Sequence, residues 1–394
     1  MTRAVAALAA LLSYAILTIW IEARWAWAVV QCAVFLGVAG WALVQLRHPS
    51  PVRWSIWLAP LAAASAWGVV QIAAHSTVYA QSTRISALNW AAWCALFFLA
   101  LQLFQTSAAR HWFLNFVVYF GFGLCVLATV QMFTSGGKIF WLFPSGYTDF
   151  VLGPFANRNQ YAAFMETILP VALWQALRDP RRAAPNLAMA AAMLASVVAG
   201  ASRAGSVMMC VEAAAVLIAA RVLHLAPPRA VTRGLAIFGV MVVLFGAVVS
   251  WQPLRRRFWE ADPYAGRREL AVSSMAMLRD RPLMGFGLGN WPRAYPRYAL
   301  YDDGNYINQA HNDWLQWAVE GGLPFFLILL SLALIVLPAA LRSLWGIGLL
   351  SVWIHCLVEY PLQQRPGVAA WFFVLLGLLA AERISARIRK RNAK

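Results

Sequence analysis

Apolar stretches of about 20 residues, the length that a helix needs to cross a bilayer, recur along almost the whole chain. Hydrophobic residues make up 62% of its 394 residues and charged residues 12%, whereas soluble domains are about one quarter charged. Backbone inside a bilayer must satisfy its polar groups within the structure, and runs of this length do so as helices. The sequence therefore predicts an all-α polytopic membrane protein.

The hydropathy pattern predicts about twelve transmembrane helices. The first begins directly after Met1, Thr2 and Arg3, and we expect it to be retained, because no small-residue cleavage site separates it from the next apolar run. The predicted spans are residues 4–21, 25–46, 54–74, 87–105, 112–133, 160–177, 186–201, 205–225, 232–251, 323–341, 343–358 and 367–381.

The basic composition, with a formal charge of +17, is concentrated on one side of this topology. If both termini lie in the cytoplasm, seventeen of the 32 Lys and Arg residues fall on that side, opposed by Asp179 and Glu382. Such an excess follows the positive-inside rule. The charge thus requires no nucleic-acid partner, and the tail 382–394 is interpreted as a cytoplasmic anchor beside anionic membrane lipids.

The chain is predicted to be one integral membrane domain over residues 1–394. Its N-terminal helices, within residues 1–133, show hydropathy but no motif. The longest segment between two predicted spans, residues 252–313, is rich in aromatic residues, so we expect it to fold into an external cap. Residues 267–280 within it have the apolar spacing of an amphipathic helix.

No cofactor and no metal site is predicted. The five cysteines are scattered through predicted spans, without the spacing of a metal site or a disulfide framework. The long external segment contains the adjacent pair Asp302 and Asp303, but no Asp-x-Asp pair that would hold a divalent ion. Arginines would therefore have to stabilise an anionic leaving group.

Unusual polar residues collect at the external ends of predicted spans, although they are far apart in the sequence. Arginine binds phosphate or diphosphate through two parallel hydrogen bonds, and a nearby histidine is suited to activate a hydroxyl. We therefore predict one external site for a phosphorylated substrate. Its candidate residues are Asn157, Arg158, Asn159, Arg203, Arg267, Arg268, His311, Glu359, Tyr360 and Arg365.

Each of these signals also has a structural interpretation. Arg203 could extend along a helix end to the membrane interface, and His311 could bond a backbone carbonyl at the start of a helix capped by Asn312 or Asp313. Residues 255–257, three arginines, are interpreted as an interfacial anchor. The glycine-rich residues 285–289 could form only a turn, because such a segment is weak evidence by itself.

Two glutamates, Glu166 and Glu212, are predicted to lie inside spans, where an unpaired charge is costly. We expect each of them to have a basic or polar partner. Their functional interpretation is that they orient Arg203 or line a wet cavity.

Six short motifs then follow one another in an order that resembles the O-antigen ligase and O-antigen polymerase superfamily. The resemblance covers about residues 150–380. The motifs are residues 153–162 (GPFANRNQYA), 202–205 (SRAG), 266–270 (GRREL), 280–290 (DRPLMGFGLGN), 311–315 (HNDWL) with 320–322 (EGG), and 355–362 (HCLVEYPL).

The resemblance implies metal-independent glycan transfer with inversion at the anomeric carbon. The donor would be an undecaprenyl-diphosphate-linked glycan at the periplasmic face of the bacterial inner membrane. Arg203 with Arg267 or Arg268 would hold the donor diphosphate, and His311 would activate the acceptor hydroxyl or orient the group that does so. The remaining substrate-binding residues would be Asn157, Arg158, Asn159, Asn312, Glu320, Glu359, Tyr360 and Arg365.

The acceptor remains open between two related activities. The preferred hypothesis is an O-antigen ligase, which transfers the glycan to lipid A-core or a similar lipid acceptor. A polymerase would use a second lipid-linked repeat at the same site, and Pro324 and Phe325 after Gly322 depart from the ligase pattern. The alternative of a different class is a transporter, which would need Glu166 and Glu212 facing each other along a polar path.

Overall fold

A computed structural model of the protein describes residues 2–147, 149–224, 227–249, 251–260, 265–300, 304, 306–363 and 366–392. This part of the chain is almost entirely α-helical, as the apolar runs predict. The first five helices are α1 (Thr2–Leu17), α2 (Arg24–Arg47), α3 (Leu58–Ala73), α4 (Ala80–Leu103) and α5 (Ser107–Thr134).

After α5 the chain forms a two-stranded antiparallel ribbon and then five more helices. The strands are β1 (Lys138–Ile139) and β2 (Phe143–Pro144), with Lys138 opposite Pro144. A 3₁₀ turn, Pro180–Arg182, precedes the third of the helices. The helices are α6 (Arg158–Glu166), α7 (Leu169–Arg178), α8 (Ala183–Ala199), α9 (Arg203–Val222) and α10 (Pro228–Val249).

The predicted amphipathic helix over 267–280 is present as α12 (Ala265–Asp280) in the long segment after α10. Leu270 and Met277 are buried on one side of it, whereas Met275 is exposed. The remaining elements are α11 (Gln252–Phe258), α12 (Ala265–Asp280), α13 (Trp291–Ala294), a 3₁₀ turn (Tyr295–Arg297), α14 (Asp313–Ala340), α15 (Ile347–His355) and α16 (Pro366–Asn392).

Among the described residues, eight helices are long and apolar enough to cross a membrane. They are α2, α4, α5, α8, α9, α10, α14 and α16, and the apolar helices α1 and α3 are shorter. The protein is thus polytopic and all-α, whereas the count of about twelve spans stays a prediction.

Two predicted spans differ from continuous membrane helices. The span over 160–177 is divided into α6 and α7 at Thr167 and Ile168, and Pro170 opens α7. Proline lacks the N–H group that would continue the ladder of helical hydrogen bonds, so it is tolerated in a first turn. The span over 343–358 contains only the nine residues of α15.

The centre of the bundle is α16, which packs extensively against α4. Of the apolar membrane-spanning part of α16, 83% is buried inside the protein. The corresponding share is 17% for α2 and for α10, which lie at the periphery. Trp371 on α16 stacks on Phe116 and Phe120 of α5, and its indole N–H donates to the Leu12 carbonyl at 2.9 Å. These contacts join helices from both ends of the chain into one core.

The glycine-rich turn at 282–291 docks onto a kink in α14. Gly322 causes this kink, with φ 74°, a conformation in which an L side chain is strained. At the kink the Leu323 N–H donates to the Pro282 carbonyl at 2.7 Å. A Cβ on Gly322 or on Gly285 would collide with backbone atoms of the opposite segment. The two glycines therefore permit the close approach of the external segment to the membrane helix.

Candidate functional site

A buried carboxylate, that of Glu359, lies at the centre of the candidate site. Only 2% of its side chain is exposed. One oxygen, Oε1, accepts hydrogen bonds from Arg267 and from the Asn159 amide, the latter at 2.5 Å. The other oxygen, Oε2, lies 3.2 Å from His311 Nδ1. Glu359 therefore joins side chains from three distant segments of the sequence.

The turn that carries Glu359 is fixed by backbone hydrogen bonds. At the end of α15, the His355 carbonyl accepts from the Glu359 N–H at 3.0 Å. The Asp313 N–H donates to the carbonyls of Cys356 and Glu359, and the Asp313 carboxylate accepts from the Leu362 N–H at 3.0 Å. The start of α14 is thereby tied to the turn, which places His311 beside Glu359.

His311 is held in a strained backbone conformation directly before α14. Its φ is 53°, in the left-handed region that residues other than glycine seldom adopt. The following residue, Asn312, caps α14 by accepting from the Leu315 N–H at 2.9 Å, as the sequence predicts. The imidazole packs edge-on against the Tyr360 ring, 4.6 Å between centroids. Helix capping and ring packing thus orient the imidazole towards Glu359.

Asn157 and Asn159 bring the start of α6 to the same place. The Asn157 side chain accepts from the Asn159 N–H at 2.8 Å and donates to the Tyr360 hydroxyl at 3.1 Å. The side-chain oxygen Oδ1 of Asn159 accepts from Ser202 Oγ at 2.7 Å, so the start of α9 is attached as well. These amides act as connectors between the helix starts and the Glu359 turn.

The electrostatics of the cluster favour an ionised Glu359. Burial by itself would raise the pKa of this carboxyl, but the hydrogen bond from His311 and the charge of Arg267 outweigh burial and lower the pKa below its ordinary value of 4.5. Burial and the adjacent Glu359 charge raise the pKa of the Tyr360 phenol, which therefore stays protonated. A fixed negative charge thus faces the imidazole and a guanidinium group.

A cleft of about 460 Å³ opens above this cluster. His311, Arg267 and Glu359 form its floor together with the asparagines, and Arg158 lies over the Phe150 ring at 5.0 Å. The lining residues are Tyr147, Asp149, Phe150, Ala156, Asn157, Arg158, Asn159, Arg257, Arg267, His311 and Glu359.

An apolar groove of about 300 Å³ adjoins the cleft and shares Asn159, Arg257 and Arg267 with it. Arg203 lies in this groove, where its guanidinium donates to the Arg257 carbonyl at 2.8 Å and to Glu260 at 3.1 Å. The other walls are formed by Ala204, Val207, Met208, Phe258, Ile354, Leu357 and Val358. A cationic strip thus runs from the polar cleft into an apolar surface.

Two candidates from the sequence, Arg268 and Glu320, are placed elsewhere. Arg268 is exposed and lines neither the cleft nor the groove. Glu320 is buried and accepts from the N–H groups of Gly289 and Trp291 at 2.7 and 3.2 Å, so it supports the glycine-rich turn rather than the cleft. Arg365 lies outside the described residues.

Sequence reasoning missed four residues that line the cleft: Tyr147, Asp149, Phe150 and Arg257. The run of three arginines predicts an interfacial anchor, but the Arg257 side chain is 23% exposed and lies where the cleft and the groove meet. The helical phase of α11 separates it from its two arginine neighbours, a distinction that a run of identical residues conceals. The other three precede the first motif, in a segment with no recognisable signal.

Glu166 and Glu212 lie in a buried polar cluster below the site. As expected, Glu166 has a basic partner, because His355 Nδ1 lies 2.8 Å from its Oε1. The Ser351 hydroxyl donates to Glu166 at 3.4 Å. The expectation for Glu212 is not met, because both of its carboxylate oxygens are buried without a hydrogen-bond partner among the described residues. Neither glutamate lines the cleft or the groove, and Arg203 is oriented by other groups.

Comparison with known families gives one match. The family model described as O-antigen ligase matches residues 188–330. This match confirms the resemblance to the O-antigen ligase and polymerase superfamily. The matched segment contains Arg203, Arg267 and His311, whereas Asn159 and Glu359 lie outside it. No match was found among the curated proteins compared with the chain.

The match supports a multi-pass membrane glycosyltransferase of the O-antigen ligase or polymerase type. Such enzymes act on lipid-linked glycans. In the described residues, no group of three or more His, Cys, Asp or Glu side chains is arranged to hold a metal ion. Within the described part of the chain, the permanently charged cationic side chains that line the cleft and the groove are arginines.

Proposed function

We propose that this protein transfers a glycan from an undecaprenyl-diphosphate carrier to the hydroxyl of a lipid acceptor, at the periplasmic face of the bacterial inner membrane. The observation that carries the proposal is the junction of two cavities. A polar cleft with a histidine and a carboxylate shares two arginines with an apolar groove that also contains Arg203. A polyprenyl diphosphate glycan has three matching parts in the same order: a polar glycan, an anionic diphosphate and an apolar polyprenyl chain.

In this proposal the apolar groove receives the polyprenyl chain. Several of its wall residues are exposed, among them Val207, Phe258, Ile354 and Leu357 at 49 to 52%, which fits contact with lipid. The diphosphate lies against Arg203, Arg257 and Arg267, which offer paired N–H donors to its oxygens. Glu260, 47% exposed, then gives up Arg203 to the substrate.

His311 acts as the general base of the transfer. Nδ1–H donates to the ionised Glu359, which leaves Nε2 unprotonated and able to accept a proton. The acceptor oxygen attacks the anomeric carbon, and its proton moves to Nε2. The bond from that carbon to the diphosphate breaks on the opposite face, the configuration inverts, and the diphosphate leaves on its carrier with its charge balanced by arginines.

Ligation onto lipid A-core or a similar acceptor is the preferred activity, and polymerisation onto a second lipid-linked repeat is its alternative. Both use the same base and the same diphosphate site. The experiment is reconstitution of the purified protein with a lipid-linked donor, with lipid A-core added in one reaction and donor alone in another. Glycan attached to lipid A-core indicates a ligase, and longer lipid-linked glycan in the second reaction indicates a polymerase.

The same reaction with EDTA tests whether the transfer is metal-independent. We expect the rate to be unchanged, because arginines supply the positive charge. A rate that falls with EDTA and returns with a divalent ion would overturn this part of the proposal.

A transporter remains the candidate of a different class, because two glutamates, Glu166 and Glu212, are buried inside the bundle. Its test uses sealed vesicles that contain the protein and a lipid-linked donor. Movement of a solute that stops in a Glu212→Gln variant, with no glycan product under any condition, would favour the transporter over the transferase.

A further inference from the structure

A second cationic cavity lies at the opposite ends of the helices that build the cleft. It measures about 580 Å³ and contains Arg178, Arg342 and Arg383. We call it the far-face cavity. Its residues belong neither to the cleft nor to the groove, and the proposed transfer uses none of them.

The location of the far-face cavity follows from the helices themselves. α14 starts beside His311, and beyond its kink at Gly322 it rises about 27 Å over residues 323–340 before Arg342 follows. α6 and α7 likewise run from the Asn157 amide to Arg178. The cavity is therefore at the other membrane face, which the positive-inside rule predicts to be cytoplasmic.

The arginines of this cavity lack protein counter-charges. Within the described residues, none of Arg178, Arg342 and Arg383 forms an ion pair or a side-chain hydrogen bond. One carboxylate, Glu382, also lines the cavity, but it accepts from the Trp345 indole N–H at 3.2 Å. Three guanidinium groups against one carboxylate leave an excess of positive charge inside a concave surface.

Apart from Ser343, the rest of the lining is apolar, which a soluble anion would not need. Leu177, Leu344 and Leu379 form walls between the helix ends. Leu177 and Pro227 also line a neighbouring cavity of about 350 Å³, which contains two further arginines, Arg229 and Arg233. Positive groups at the membrane surface and an apolar wall below them match the two parts of a phospholipid.

We propose that the far-face cavity binds the headgroup of an anionic phospholipid. Its phosphodiester lies between Arg342 and Arg383, with Arg178 at the rim, and the upper parts of its acyl chains lie along the leucine wall. Basic pockets between membrane helices on the cytoplasmic side are suited to such headgroups, because the inner leaflet is rich in anionic lipid. The lipid would join the ends of α7, α14 and α16.

The test compares two double variants that each remove two positive charges from the same face. The cavity variant carries Arg342→Gln and Arg383→Gln. The matched control carries Arg47→Gln and Arg181→Gln, whose side chains are exposed outside the cavity. Delipidated wild-type protein and both variants are titrated with short-chain phosphatidylglycerol, short-chain phosphatidylcholine and inorganic phosphate, and binding is read by thermal stability and native mass spectrometry.

We expect phosphatidylglycerol to bind the wild type and the control equally, and the cavity variant at least about tenfold more weakly. Phosphatidylcholine and inorganic phosphate should bind all three proteins weakly. Equal binding of phosphatidylglycerol to the cavity variant and the control would overturn the proposal, because it would indicate the active-site groove or general surface charge. Equal protection by inorganic phosphate would also overturn it, because the lipid part would then be irrelevant.

Discussion

Two glutamates from the motifs of this chain, Glu359 and Glu320, are both almost completely buried, yet their surroundings differ. Glu359 meets charged or polar side chains, Arg267, His311 and Asn159, at the floor of an open cleft. Glu320 meets two backbone N–H groups and the Gln316 amide below the glycine-rich turn. Two equally buried carboxylates thus differ in the groups that they bond and in whether a cleft opens above them.

The largest effect on turnover is expected from removal of the His311 imidazole, which Glu359 orients. His311→Ala should lower turnover by a factor of about 10² to 10⁴, the usual contribution of a general base, while the affinity for the donor changes little. Turnover and donor binding are measured on the reconstituted protein. His111→Ala is the matched control, because His111 is partly exposed, lies outside the cleft and forms its side-chain hydrogen bond within its own helix turn. Unchanged turnover in His311→Ala would remove this residue from the mechanism.

Glu359→Gln comes next, because it keeps the shape of the side chain and removes its charge. The imidazole then loses the carboxylate that fixes its tautomer, so we expect turnover to fall by about 10² with a small change in unfolding temperature. Parallel measurements of turnover and thermal unfolding check this. If the variant unfolds readily but is fully active when folded, Glu359 has a structural role like that of Glu320 and no role in turnover.

Glu320→Gln should show the opposite pattern, a clear loss of stability with little loss of turnover. An amide has one acceptor oxygen, so at least one of the N–H donors of Gly289, Trp291 and Gln316 loses its partner, at a cost of about 1–3 kcal/mol in stability. Activity per folded molecule should change only modestly, through Gln316, which also accepts from the Ala310 N–H beside His311. Loss of activity without loss of stability would contradict the distinction between the two glutamates.

The smallest effect concerns pH. The folded-state pKa of Glu359 lies below its ordinary value of 4.5, so its stabilising contribution is fully present above about that pH and is lost as the pH falls through the folded value. The difference in unfolding temperature between wild type and Glu359→Gln should therefore shrink at acid pH. A difference that stays constant from about pH 7 to about pH 3 would contradict the lowered pKa.

The helices were predictable because a bilayer imposes length and hydropathy on every span. Convergence of Asn157, Arg203, Arg267 and His311 could also be anticipated, since each follows or precedes an external helix end. The break between α6 and α7 was not predicted, because the apolar run continues through it. Hydropathy reports that a residue avoids water, but not whether its backbone continues the helix.

The roles within the site were harder to predict than its location. Arg267 and Arg268 are adjacent in the sequence, and only the helical phase of α12 separates the cleft from the exposed side. Arg257 was concealed in a run of three arginines for the same reason. Glu320 and Glu359 both occur in motifs, and their different partners depend on the docking of the glycine-rich turn onto the Gly322 kink.

The central claim is that arginines of the cleft and the groove hold the donor diphosphate. Its most direct test is the affinity of the purified protein for undecaprenyl diphosphate. A variant with Arg203→Gln and Arg267→Gln loses two charged donors, so its affinity should fall about 100-fold, whereas Arg268→Gln should bind as the wild type does. Equal affinity in all three proteins would show that the arginines of the cleft and groove do not hold the diphosphate.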